Sequence, residues 1–293
     1  MTISVVIPTL GRPSLADAVR SVQSQTRPVS EIIVVADTDQ PVALPADDRI
    51  RLLRNTGRRG PAGSRQIGID AAEGSVIALL DDDDEWHPNK IERQLSAALE
   101  AGPHWIASCR MDVVGPGDRR RVWPRKLIRS EPVADYLFRF TDVRLGGRSL
   151  QTSTLCFPAE LARAIRWDAH AGSVHDEPSW VLSVARTFSD LRVIQLPDVL
   201  STYNVSTESV SRHTSDDTDR YIDWGLRYLG NEPARIRGDY LCTSPVSAAV
   251  AAGSLRGVRH SVASAFEHGR PGLAAVGYAA MSGLRLALRR VRA

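Results

Sequence analysis

Residues 81–84 are four consecutive aspartates: Asp81, Asp82, Asp83 and Asp84. Adjacent carboxylates repel one another unless water or a cation offsets their charge. Hard divalent cations prefer oxygen ligands, and Mg²⁺ in particular takes one or two carboxylates together with substrate phosphates. The spaced ligands and the glycine of a helix–loop–helix calcium site are missing here. A phosphatase built on an Asp-x-Asp nucleophile would carry it after the first strand. The plain alternative is a solvated turn whose aspartates only favour the next helix N-terminus.

A second acidic pair, Asp176 and Glu177, stands just before Pro178 and an apolar, helix-like run, with His175 preceding it. On the plain reading these acids favour the N-terminus of that helix. Asp37, with Asp39 nearby, follows an apolar run, and Arg12 and Arg65 stand near turns. His213 is a further candidate for the metal or a diphosphate. Gly57, Gly60 and Gly63 are spaced G-x-x-G-x-x-G and do not directly follow the first strand, so the dinucleotide fingerprint is absent.

The elements that must position these residues follow from hydrophobic patterning. Residues 3–7, 31–35, 50–53 and 75–80 are short apolar runs expected as strands. Helices are expected after Ser14, over residues 64–72 and after Pro88. Alternating strand and helix implies a mostly parallel sheet covered on both faces, with ligands beyond the carboxyl ends of the strands. Residues 8–12, 37–39 and 81–85 all fall at such ends. Farther on, strands are expected over residues 105–113, 152–157, 191–196 and 199–205. Helices are expected over residues 132–140, from Pro158 to 165, and over residues 178–187. The chain turns Ala-, Gly- and Arg-rich from about Pro233, where short helices are expected.

Composition bounds the rest. With 293 residues, 43% hydrophobic and 24% charged, the chain suits one large α/β domain with a smaller appendage. A net charge of +3 does not suggest a nucleic-acid binder. Cys109, Cys156 and Cys242 are far apart and read as reduced thiols of a cytoplasmic protein. No signal peptide and no apolar run of roughly 18 residues is expected. At the C-terminus, Leu284, Leu288 and Val291 share a helical face beside Arg285, Arg289, Arg290 and Arg292. That pattern suits peripheral contact with an anionic membrane, or a terminal helix packed on the domain. Trp105, Trp123, Trp167, Trp180 and Tyr203 are candidates for stacking on a ligand, or core. The basic residues 119–121 and 125–126 are expected as a solvated loop, with contact to a phosphorylated substrate as the alternative.

The series Val5-Val6-Ile7-Pro8-Thr9, Glu31-Ile32-Ile33-Val34-Val35, Gly63-Ser64-Arg65-Gln66 and Leu80-Asp81-Asp82-Asp83-Asp84-Glu85-Trp86 resembles the family 2 glycosyltransferases. The resemblance runs roughly from Thr2 to Tyr203. It implies an α/β fold of the GT-A type, Rossmann-like, with a mixed central sheet and a C-terminal helical appendage. The expected divisions are a nucleotide-sugar half at 1–105, an acceptor half at 106–230 and a helical extension at 231–293. The resemblance further implies a nucleotide-diphosphate sugar donor, UDP or dTDP, with Mg²⁺ or Mn²⁺, and inversion at the anomeric carbon.

By the same resemblance, Pro8 and Thr9 line the nucleoside pocket and Asp37 bonds the base. Arg65 lies near the base or diphosphate, and Arg12 and Asp82 join the donor site. Asp83 faces the ribose or metal, Asp84 binds the metal, and Asp81 completes the Asp-x-Asp pattern. Asp176 corresponds to the general base, with Trp180 four residues on, and Glu177 is the fallback. The sequence departs where Ala36 and His175 stand in place of acids. A lipid-linked acceptor in polysaccharide or glycolipid assembly, or natural-product glycosylation, fits this reading. A sugar nucleotidyltransferase and a non-catalytic sugar-nucleotide-binding protein are the alternatives.

Overall fold

The computed structural model describes residues 1–57, 60–141, 146–167, 174–205 and 216–292. In chain order its elements are β1 (Ile3–Thr9), α1 (Leu15–Gln23), β2 (Glu31–Ala36), β3 (Ile50–Arg54), α2 (Gly60–Ala71), β4 (Val76–Leu79), β5 (Glu85–Trp86), α3 (Lys90–Ala98), β6 (Trp105–Gly115) and β7 (Arg119–Trp123). There follow α4 (Val133–Phe138), a 3₁₀ turn at Thr152–Thr154, β8 (Cys156–Pro158), α5 (Ala159–Ala164), α6 (Asp176–Thr187) and β9 (Arg192–Asn204). The chain closes with α7 (Thr218–Tyr228), α8 (Ala234–Leu241), α9 (Ser244–Ala251), α10 (Leu255–His268) and α11 (Leu273–Arg292).

Two compact units result: Met1–Arg129 with Arg148–Ser206, and Ser130–Gly147 with Thr207–Ala293. The first holds a mixed sheet ordered β3-β2-β1-β4-β8-β6-β9-β5, with β7 paired to β6. β3, β2, β1 and β4 run parallel, whereas β8 is antiparallel to both β4 and β6. Every residue of β1, β2 and β4 is buried, as expected of strands covered on both faces. Leu15, Val19 and Val22 of α1 and Ile91 and Leu95 of α3 join Val5, Ile7, Ile32 and Val34 in one core.

On the opposite face α2 lies unusually close to the sheet. A methyl group on Gly68 would meet Val6 Cγ1 at 2.4 Å and Val35 Cγ2 at 3.2 Å. Gly68 therefore sets the depth of the helix that carries Arg65.

Three expected elements differ. Residues 152–157 form a 3₁₀ turn before a three-residue strand, because Thr154 Oγ1 donates back to the Gln151 carbonyl at 2.6 Å and so competes with strand pairing. The two strands expected around Pro197 are one, β9. Its register against β6 shifts beside Arg110, so Pro197, which has no N–H to give, sits in an irregularity of the ladder. The basic residues 119–121, expected as a loop, lie in β7, which pairs with β6 at one edge of the described sheet.

The second unit is helical. Phe138, Trp224 and Tyr240 form an aromatic cluster with ring centroids 5.1–5.4 Å apart. The buried Asp239 carboxylate accepts from Phe140 N, Gly272 N and Arg235 Nε.

Replacing Gly68 by alanine forces a shift of either α2 or Val6. Overpacking of this kind costs about 1–3 kcal/mol. Urea denaturation is expected to show that loss, and unchanged stability would refute the close approach.

Candidate active site

The carboxyl ends of β1, β2 and β4 lie side by side, so Thr9, Asp37 and the acidic turn converge at one edge. Pro8 pairs with Val35, and Asp37 N donates to Thr9 O at 2.8 Å. Asp37 Oδ2 accepts from Gly60 N at 3.0 Å. Its Oδ1 is buried with no hydrogen-bond partner among the described residues. A buried acceptor left unsatisfied costs about 1–3 kcal/mol, so this atom suits a donor supplied by a ligand.

The four aspartates face different ways. Asp82 is buried, accepting from Thr9 Oγ1 at 2.6 Å and from Arg12 Nη1 at 2.9 Å. Arg12 Nη1 also reaches Asp83 Oδ2 at 3.0 Å. Asp81 Oδ1 accepts from Arg65 Nη2 at 2.7 Å. Asp84, expected as a metal ligand, turns inward. Its Oδ2 accepts from Ser153 Oγ at 2.6 Å and Gln151 Nε2 at 3.0 Å, and its Oδ1 from Asn204 N at 3.0 Å. Asp81 and Asp83 keep 23% and 20% of their side chains exposed, against 6% for Asp82, and 1% of Asp84 as a whole residue is exposed. Asp81 and Asp83 are therefore the most accessible carboxylates of the turn.

This crowding shows in the protonation equilibria. Burial, with the charge of Asp81 second, pushes Asp83 up to about 6 and Asp84 well above the usual carboxylate range. Burial also raises Asp82. Tyr203 is pushed up to about 12, by burial first and then by Asp84, Asp81, Asp83 and Glu177. Its phenol therefore stays protonated beside the acids.

Arg65 joins the acidic turn to α6. Its guanidinium is buried. Desolvation alone would lower its pKa, but Asp81, Glu177 and Asp176 overcome that effect and raise it. Asp176 Oδ2 lies 3.7 Å from Arg65 Nη1. Arg65 Nε and Nη1 have no hydrogen-bond acceptor among the described residues. Below them the guanidinium stands 5.5 Å from the Trp167 ring centroid, and Trp167 stacks on Trp180 at 5.1 Å. Trp105, Trp167 and Trp180 are core residues, each at most 3% exposed, so the core alternative applies to them. Arg121 and Arg125 cover the Trp123 ring.

Asp176 opens α6 directly after His175, whose backbone is left-handed at φ 54°. Burial lowers His175 to about 4, so a neutral imidazole precedes Asp176. Glu177 is committed elsewhere: its Oε1 accepts from both the hydroxyl and the amide of Thr152. Of the two acids, Asp176 is the one facing Arg65 at ion-pair distance.

Thr152–Thr154 is the piece that sequence reasoning missed. Thr152 holds Glu177, while Ser153 donates to Asp84 and accepts from Asp81 N at 3.0 Å. The turn is anchored from below: Trp86 Nε1 donates to Ser153 O, and Gln94 Nε2 to Thr154 O, both at 2.7 Å. Gln94 in turn accepts from the buried Lys90. The available signal was the hydroxyl run Thr152-Ser153-Thr154 ahead of an apolar segment. His213 lies outside the described residues.

A carboxyl whose folded pKa is raised binds its proton more tightly in the folded state, so the unfolded state carries fewer protons between pH 3.8 and about 6. Stability of the metal-free protein then falls as pH rises through that window. Asp83→Asn is expected to stabilise the metal-free fold at pH 7 by on the order of 1 kcal/mol, with little effect near pH 4. Urea titrations at both pH values measure this, and a loss of stability at pH 7 would contradict it.

A model described as Glycosyl transferase family 2 matches residues 4–158. The amylovoran biosynthesis glycosyltransferase AmsB of Erwinia amylovora is 25% identical over 239 residues, which is 76% of each chain. The Escherichia coli UDP-Glc:alpha-D-GlcNAc-diphosphoundecaprenol beta-1,3-glucosyltransferase WfgD is 35% identical over 104 residues, 33% of this chain and 41% of that protein. The crystal structure of S. aureus TarS 1–349 in complex with UDP-GlcNAc superposes with a TM-score of 0.57 at 13% identity, covering 90% of this chain and 82% of that one, a likeness of fold. With the strand-edge acids in place and more than half of the chain matched, this protein belongs to glycosyl transferase family 2.

Proposed function

We propose that the chain is an inverting, metal-dependent glycosyltransferase that moves a sugar from a UDP- or dTDP-sugar to the hydroxyl of a lipid-linked acceptor, in cell-surface polysaccharide or glycolipid assembly. The observation that carries the reading is the buried Arg65 guanidinium, shared between Asp81 of the acidic turn at 2.7 Å and Asp176 of α6 at 3.7 Å. One cation thus ties the carboxylates suited to a diphosphate-bound ion to the carboxylate suited to an acceptor hydroxyl.

The residues present fit a divalent ion. Among the described residues, six carboxyl groups, on Asp81, Asp82, Asp83, Asp84, Asp176 and Glu177, are grouped with two guanidiniums, Arg12 and Arg65. Among the described residues no three His, Cys, Asp or Glu side chains form a closed cage. Asp81 and Asp83 therefore suit the mode in which one or two carboxylates share Mg²⁺ or Mn²⁺ with substrate phosphates. When bound, the ion offsets the charge developing on the departing diphosphate.

The chain's own residues supply the rest. Asp37 Oδ1 is placed to accept the ring N–H that uracil and thymine both carry. Arg12 holds Asp82 back with Thr9 and orients Asp83. The unpaired N–H groups of Arg65 suit an anionic or carbonyl oxygen of the donor. Asp176, oriented by Arg65, takes the acceptor proton as the new C–O bond forms on the face opposite the leaving group. The names of WfgD and of the TarS complex carry UDP-sugars, and that of WfgD a diphosphoundecaprenol-linked acceptor, which supports UDP and a lipid-linked acceptor first. Free, buried Cys109, Cys156 and Cys242 suit a reducing compartment, and we place the protein in the cytoplasm. No described helix is long and apolar enough to cross a membrane.

Thermal melts with UDP-, dTDP- and GDP-sugars, each with and without Mn²⁺, are expected to rise most with a UDP-sugar plus metal. No rise with any donor would defeat the assignment. Asp176→Asn is expected to lower transfer about 100-fold or more while keeping that thermal shift. Full activity in this variant would remove Asp176 from the mechanism.

A further inference from the structure

α11 is committed on one side and unpartnered on the other. Successive residues of a helix are rotated by about 100°. On that geometry the buried Ala275, Ala279 and Leu286 form one stripe. The opposite stripe is apolar as well, and it is exposed: Leu273 to 92%, Met281 to 43%, Leu284 to 61% and Leu288 to 50%. Arg285 and Arg289 lie along one edge of this second stripe and are exposed. The segment from Leu273 to Arg292 contains no aspartate or glutamate.

A helix that had only to close the fold would need one apolar face. Four large side chains held in water on the other face are costly unless something covers them. Charge decides what that is. Pairing with a second copy of the same helix would bring arginines from both chains to one seam, with no acid on either helix to oppose them. An anionic lipid surface complements both features at once: the leucines enter the acyl boundary, and the flanking guanidiniums meet headgroup phosphates.

We propose that the exposed face of α11 docks this protein on an anionic bilayer surface, with the helix lying in the interface plane. The inference goes beyond sugar transfer and does not depend on it.

The test is co-sedimentation of the full chain with vesicles of phosphatidylcholine alone and of equal parts phosphatidylcholine and phosphatidylglycerol. Partition onto the anionic vesicles is expected to be at least about tenfold greater and to fall as salt is added. Leu284→Ser with Leu288→Ser, and separately Arg285→Glu with Arg289→Glu, are each expected to lower it about tenfold or more without changing the circular dichroism. Equal partition onto both vesicles, no binding to either, or wild-type binding by both variants overturns the proposal. So does a dimer in light scattering that the serine variant dissolves, which would assign the face to a second copy. No donor or acceptor enters the measurement, so a negative result leaves the transferase reading standing.

Discussion

Mutual repulsion among the acids at the carboxyl end of β4 is the constraint around which this part of the molecule is organised. Four aspartates in sequence cannot all ionise at low cost in a half-buried turn. The fold answers by sending them to different partners: Asp81 to Arg65, Asp82 and Asp83 to Arg12, and Asp84 to a nest of neutral donors. The answer is incomplete, since Asp83 is left with its pKa near 6. A deficit of positive charge is thereby stored at one sheet edge, and stability lost in this way is commonly found where a site must bind something.

Arg65 matters because it is both buried and shared. Its cost of desolvation is met by three carboxylates and by the indole face of Trp167. Its location follows from α2, which Gly68 allows to sit directly on Val6 and Val35. A glycine with no chemistry of its own thus sets the position of the cation on which the acidic turn and α6 both depend. From the other side, the hydroxyls of Thr152 and Ser153 hold Glu177 and Asp84, so the two acidic segments are tied by a cation and by a neutral turn.

The first hundred residues were legible because parallel strands buried on both faces read as unbroken β-branched runs, and each such run ends at a charged or turn-forming residue. Pro8, Asp37 and Asp81 could be placed at one edge on that basis. What could not be read was direction. Four identical side chains give no sign that Asp84 points inward, since that depends on Gln151, Ser153 and Asn204, 67–120 residues away in sequence. The same holds for Glu177, whose partner Thr152 lay in a segment patterned like a strand. Propensity also misled at β9, where Pro197 was read as a break and the ladder instead absorbs it. Among the tryptophans, composition could not separate the ring that supports Arg65 from rings available to a sugar.

β8 runs against β4. A strand opposed to its neighbour must begin where that neighbour finishes, so the chain re-enters the sheet at Thr152–Thr154, beside the exit of β4. However long or varied the excursion between β7 and that re-entry, its last residues are delivered to the same spot. That excursion carries α4 of the second unit and ends on Gln151, which donates to Asp84, so the chain's return to the first unit is itself fastened to the acidic edge.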